Sequence, residues 1–294
     1  MPIRNLRLFP PIIPPDVPGP DLGAPGSRRR LILMGAALTM ITEILSLLRL
    51  LPLLHIGGIN LSASTVPALA LAVGCGDRLL GRSSLRRLTV WFWLLATGTL
   101  LGLLMIYLAY DRGSLYLALL LAALNEELVY RLAVPVMASV ALMFTGMGMH
   151  RARLVGFALA GVWFVFLPGH QAQMDTPTGP LPFIAYAVLS AALVYRSGSI
   201  IPMAAVHAVM NMITLLVWHT SLPLDARAIS LAALFGLLAL AYGLPRRLTI
   251  DGERGMVDTF TGLRVVEIDH SGDGPPEVHL SDGSHFSLHH RVPR

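Results

Sequence analysis

Three polar motifs interrupt the long apolar runs of this chain, and their residue types suit proton transfer and charge stabilisation. The first is Asn125-Glu126-Glu127-Leu128-Val129-Tyr130-Arg131. A helix advances about 100° per residue, so Glu127 and Arg131, at i and i+4, share a face and can pair. Glu126 is rotated roughly 140° from Arg131 and faces elsewhere. A carboxylate desolvated in a polar cavity suits a general acid or base near neutral pH. The second motif is Phe166-Leu167-Pro168-Gly169-His170, in which the imidazole can shuttle a proton. The third is His207-Ala208-Val209-Met210-Asn211, again at i and i+4. An Asn there can donate a hydrogen bond to a developing oxyanion. Each motif singly has a structural reading: a buried ion pair, a histidine held by a backbone carbonyl, an asparagine joining two helices. Their occurrence on three separate apolar segments favours one shared site, because intramembrane charge is costly and marks function by default.

The elements that must position these groups are membrane helices. Of the 294 residues, 54% are hydrophobic and only 13% are charged. A soluble domain carries roughly 25% charged residues, so lipid is the expected solvent. Apolar runs predict about eight spans, at 31–54, 61–80, 88–110, 114–145, 153–169, 181–195, 199–218 and 226–244. Pro135 predicts a tilt, kink or break in the fourth. Pro168-Gly169 predicts a loop or helix end at His170, followed by a broken polar stretch, Gln171–Pro182. Glu43 and Arg49 fall in the first span, where they are expected to pair weakly or to let Glu43 reach another span, in structural roles.

Arginines set the orientation. Arg28–Arg30, Arg78 to Arg87, Arg151 and Arg153, Arg196, and Arg246 and Arg247 mark every second loop, and the opposite loops carry only Arg112 and Arg227. Both termini are therefore expected in the cytoplasm. The net charge of +5 comes from these short clusters, a pattern that does not suggest nucleic-acid binding. The sole cysteine, Cys75, excludes a disulfide framework. The domain reading is a disordered Pro-rich tail over 1–27, a transmembrane helical domain over 28–247 with its catalytic core at about 115–218, and a small cytoplasmic β-rich tail over 248–294. In that tail the runs Val265–Ile268, Glu277–Leu280 and His285–Leu288 predict a hairpin or meander. Its scattered histidines read as solvated surface residues.

Taken in order, Glu-Glu-x-x-x-Arg, Phe-x-x-x-His and His-x-x-x-Asn resemble the CAAX protease and bacteriocin-processing (CPBP) family of intramembrane glutamate-type proteases. The likeness covers roughly 115–218, and Ser197-Gly198-Ser199-Ile200-Ile201-Pro202 before His207 is similar to bacterial members. The resemblance implies an intramembrane endopeptidase acting on a membrane-associated peptide or protein. Glu126 and His170 would activate water, His207 and Asn211 would form the oxyanion site, and Glu127 and Arg131 would support them. It also implies a multi-pass protein of the bacterial cytoplasmic membrane.

Other readings stand beside this one. Within the family, cleavage with transfer is the alternative to hydrolysis. A non-catalytic membrane scaffold or immunity protein is the rival from another class, and a transporter is the third, since a broken span and buried carboxylates suit an ion path. Glu126, His170 and His207 would also make a three-ligand set of catalytic-zinc type. No His-Glu-x-x-His helix is present, so the expected cofactor is none, with zinc as the alternative.

Overall fold

The computed structural model describes residues 26–81, 86–171, 180–219 and 224–243, together with the strand residues 248–250, 253–255, 265–269, 277–280 and 285–287. The expected Pro-rich tail up to residue 25 and most of the broken stretch after His170 lie outside the described residues. The protein is an all-α polytopic membrane protein with a small β-type tail. The helices are α1 (Gly26–Leu47), α2 (Thr65–Cys75), α3 (Arg86–Ala109), α4 (Gly113–Leu128), α5 (Val134–Phe144), α6 (Met149–Val165), α7 (Pro168–Gln171), α8 (Pro180–Ser197), α9 (Ile200–His219) and α10 (Leu224–Gly243). Among the described residues, four segments are long and apolar enough to cross a membrane: Arg30–Leu47, Arg87–Ala109, Gly113–Phe144 and Ile200–Val217. Three shorter apolar helices accompany them. Burial sorts these spans: 22% of the α3 window is buried, against 61% for Gly113–Phe144 and 72% for α9. On α3, Trp91, Leu94, Leu101 and Met105 are exposed, as a lipid-facing surface requires. The two most buried spans carry the first and third polar motifs.

The first two spans differ from the sequence reading. α1 ends at Leu47 because the chain turns in a Schellman motif: Leu50 N donates to Leu45 O at 2.8 Å and Arg49 N to Ser46 O at 3.0 Å. Arg49 occupies the left-handed position with φ 58°, where glycine is usual. Arg49 is therefore off the helix, and no pairing with Glu43 along one span exists. The apolar run continues into a hairpin, β1 (Leu54–Ile56) and β2 (Ile59–Leu61), with Ile56 opposite Ile59. Its turn residues Gly57 and Gly58 have φ 60° and 83°, the positive pair that a two-residue turn of this hand demands. A side chain at Gly57 would also collide with the Ser114 carbonyl at the start of α4.

The fourth span is one segment in three parts. Pro135 cannot donate to the carbonyl of Arg131. The chain answers with a π-helical turn, Val129–Ala133, in which Val134 N reaches back to Val129 O. α4 packs chiefly on α9, and α5 chiefly on α6. At the second contact Gly156 admits the α5 backbone: an added Cβ would lie 2.7 Å from Ser139 Oγ and 2.8 Å from Pro135 O. Small residues at such crossings are how membrane helices approach.

The chain divides into two units. The helices belong to 17–244, and the remaining strands to the other. There β3 (Leu248–Ile250) pairs with β4 (Glu253–Gly255). The strands β5 (Val265–Asp269), β6 (Glu277–Leu280) and β7 (His285–Ser287) form an antiparallel meander in the order β5-β6-β7.

Candidate active site

A cavity of about 620 Å³ opens among α1, α4, α9 and the segment after α6, and Glu126, His170, His207 and Asn211 all lie on its wall. The three motifs, far apart in sequence, therefore meet at one place. α4 contributes Glu126, α7 His170, and α9 both His207 and Asn211.

Glu127, next to Glu126, is turned away from the cavity and held on several sides. Its Oε1 accepts from Tyr186 Oη at 2.8 Å and from His207 Nδ1 at 2.9 Å. Its Oε2 lies 3.9 Å from Arg131 Nε. The simple Glu127–Arg131 pair read from the helical wheel is thus only part of the arrangement. Arg131 makes its hydrogen bonds elsewhere: Nε and Nη2 donate to Ser190 Oγ at 3.1 and 2.7 Å, and Nη1 donates to the Tyr130 carbonyl at 3.2 Å. Its guanidinium also stands 4.9 Å over the Phe164 ring, a further cation contact of modest strength. The reason is local: Arg131 sits in the π turn, where the 100° step no longer holds.

Glu126 differs in exposure and placement, although the Oε2 of each carboxylate is buried without a hydrogen-bond partner. Its side chain is 26% exposed, against 1% for Glu127. Its Oε2 has no hydrogen-bond partner and lies 3.6 Å from His207 Nε2, beyond hydrogen-bond reach. His207 thus bridges two carboxylates. It donates from Nδ1 to Glu127 and turns Nε2 toward Glu126. Glu126 lines the cavity, and part of its side chain, though not the buried Oε2, faces that space.

His170 is fixed by its other nitrogen. Nδ1 lies 2.9 Å from the Phe164 carbonyl. A carbonyl only accepts, so Nδ1 carries the proton and Nε2 is left basic. The ring packs between Phe164 and Phe183, with centroids at 4.8 and 4.6 Å. The helix break at Pro168 lets the short α7 turn bring His170 back under Phe164. Asn211 lies one helical turn beyond His207 on the same wall, next to Met210 and Thr214.

Glu43 reaches another span, one of the two roles expected of it, and its partner there is Tyr130, which sequence reasoning did not assign to the site. Glu43, 4% exposed on α1, accepts from Tyr130 Oη at 2.6 Å, Ser64 Oγ at 2.7 Å and Ser62 Oγ at 2.5 Å. Both Glu43 and Tyr130 line the cavity. A carboxylate in an apolar span was the available signal for Glu43; nothing in the sequence named its partners. As for a metal, among the described residues no group of three or more His, Cys, Asp or Glu is placed to hold one. His170 and His207 each already engage a protein acceptor through Nδ1.

Comparison with known proteins agrees with the ordered motifs. Residues 114–213 match the sequence model of the family described as type II CAAX prenyl endopeptidase Rce1-like. No curated protein and no solved structure matches the chain.

Proposed function

We propose, from the match of residues 114–213 to the Rce1-like type II CAAX prenyl endopeptidase family, that this protein is a glutamate-dependent intramembrane endopeptidase cleaving a membrane-anchored peptide or protein. The observation that carries the reading is the contrast between adjacent carboxylates: Glu127 is held through Oε1 by Tyr186 and His207 and lies off the cavity wall, whereas Glu126 lines the cavity. Glu126 takes a proton from water, whose oxygen attacks the scissile carbonyl. His170 Nε2 orients that water. The proton held on Glu126 passes to the leaving amine as the peptide bond breaks. General acid–base catalysis of this kind contributes on the order of 10²–10⁴-fold.

His207 and Asn211 stabilise the oxyanion. With Nδ1–H already directed to Glu127, His207 donates from Nε2 only as the imidazolium, and the two flanking carboxylates support that charge. Asn211 adds its amide N–H from the same wall. Preorganised donors act strongly where water is excluded. The reaction in this reading uses no metal, and the protein lies in the bacterial cytoplasmic membrane with both termini in the cytoplasm.

The test compares the termini of membrane proteins in cells carrying the wild type and Glu126→Gln. The variant keeps shape and hydrogen bonding but cannot take the proton. It should insert and accumulate normally while a substrate stays uncleaved. Full biological function of Glu126→Gln at normal abundance would replace catalysis with a scaffold role.

A further inference from the structure

The cavity wall is not built from the family-matched segment alone. Glu43 on α1 lies outside residues 114–213 yet faces the same cavity as Glu126. Its carboxylate receives three hydroxyl donors from three places in the chain: Ser62 just after β2, Ser64 just before α2, and Tyr130 in the π turn. A carboxylate buried to this degree is costly unless its lone pairs are satisfied, and here they are. Hydrogen bonds to a charged acceptor are the strong ones, so this group is a junction rather than a passive wall.

What the junction holds can be followed contact by contact. Tyr130 stands four residues after Glu126 and borders the same cavity. Its ring packs edge-on against Phe164, with centroids 5.8 Å apart. Phe164 in turn holds His170 twice, through its ring at 4.8 Å and through its carbonyl at 2.9 Å from Nδ1. The Phe164 ring also supports the Arg131 guanidinium.

We propose that Glu43 is a positioning residue of the active site: through Tyr130 and Phe164 it fixes the placement of His170 and the π turn that follows Glu126. The proposal rests on the endopeptidase reading for its kinetic consequence but not for its structural one. Glu43 touches no reacting atom. It anchors the Tyr130 phenol, and the phenol limits where Phe164 and its carbonyl can sit. The hairpin base at Ser62 and Ser64 is tied to the same carboxylate, so α1 and the segment between β2 and α2 complete a site whose reacting groups all lie in 114–213.

The experiment uses the full chain, purified in detergent, as wild type, Glu43→Gln, Tyr130→Phe, the double variant and Glu126→Gln. Histidine side chains labelled with ¹⁵N report His170 directly, its signal assigned by loss in His170→Ala. In Glu43→Gln and in Tyr130→Phe the His170 resonance should move while the fold persists. Turnover is read with a quenched peptide spanning the site found by comparing membrane-protein termini. Expected is a fall in kcat of about 10- to 100-fold, the scale of a small misplacement in a catalytic site, with KM changed less than about 2-fold. The double variant should be no slower than the worse single variant, the mark of two residues acting through one contact. A structural role alone would lower the folded amount and leave kcat per folded molecule unchanged. That result, or an unmoved His170 signal, would overturn the proposal. A raised KM at unchanged kcat would also overturn it, making Glu43 a substrate contact. If Glu126→Gln remains fully active, the glutamate-dependent reading fails instead, and the His170 signal still decides the structural claim.

Discussion

Replacing Glu127 by Gln isolates the electrostatic part of the site from its shape. The side chain keeps its length and keeps an oxygen for Tyr186 Oη and His207 Nδ1. It loses the charge that faces Arg131 across 3.9 Å, where both side chains are at most 1% exposed. Breaking a buried ion pair costs about 3–5 kcal/mol, because the surviving charge stays buried. Arg131 retains Ser190, the Tyr130 carbonyl and the Phe164 face, and the lost partner was not itself hydrogen-bonded. These contacts place the expected loss at the lower bound, about 3 kcal/mol. The assay is reversible unfolding in mixed micelles with rising SDS, followed by tryptophan fluorescence. Glu127→Gln is compared with Arg131→Gln and with the double variant. Neutralising both should cost less than the sum of the singles by about 1–3 kcal/mol. Wild-type stability in Glu127→Gln, or strictly additive losses, would refute the buried-pair argument. Glu126→Gln should leave stability nearly unchanged, since Glu126 Oε2 has no hydrogen-bond partner to lose.

Further outcomes are expected elsewhere in the molecule. Gly156→Val should weaken the α5–α6 crossing and lower stability by about 1–3 kcal/mol, the scale of overpacking, because its Cβ would meet Ser139 Oγ and Pro135 O; unfolding at the wild-type SDS fraction would show that the crossing yields. Reporter fusions after residues 57, 112 and 222 should read as external, and fusions after 84, 149 and 250 as cytoplasmic; an external C-terminus would overturn the arginine argument. Activity of the purified protein should survive strong chelators, and loss on chelation with rescue by zinc would move the chemistry to a metal held by Glu126, His170 and His207.

Hydropathy and proline made the helical order legible, since solvent in the bilayer leaves the backbone few alternatives to a helix. The convergence of Glu126, His170, His207 and Asn211 was legible as a pattern of types and order. Two features were not. The hairpin 54–61 sits in an apolar run that continues the first span, and only Gly57-Gly58 and the chain reversal at Arg49 separate them. The partners of Glu43 were hidden because Ser62 and Tyr130 stand 19 and 87 residues away in sequence. Local periodicity carries no information about such pairings. The wheel argument placed Glu127 opposite Arg131 as found, at 3.9 Å, but it could not show that Arg131 makes its hydrogen bonds to Ser190 and the Tyr130 carbonyl.

That wider turn works as a phase adjuster between two helices that otherwise read as one. A π turn holds one residue more than the α turn it replaces. Forcing 129–133 into α geometry with all five residues kept would rotate everything beyond it by roughly 100°. α4 would still address α9 with Glu126 and Glu127, but α5 would present a different side to α6, and Pro135 and Ser139 would no longer meet Gly156. Removing one of the five residues at the same time would cancel that rotation. Regularising this helix at its full length would therefore uncouple the half that carries Glu126 from the half that packs on α6.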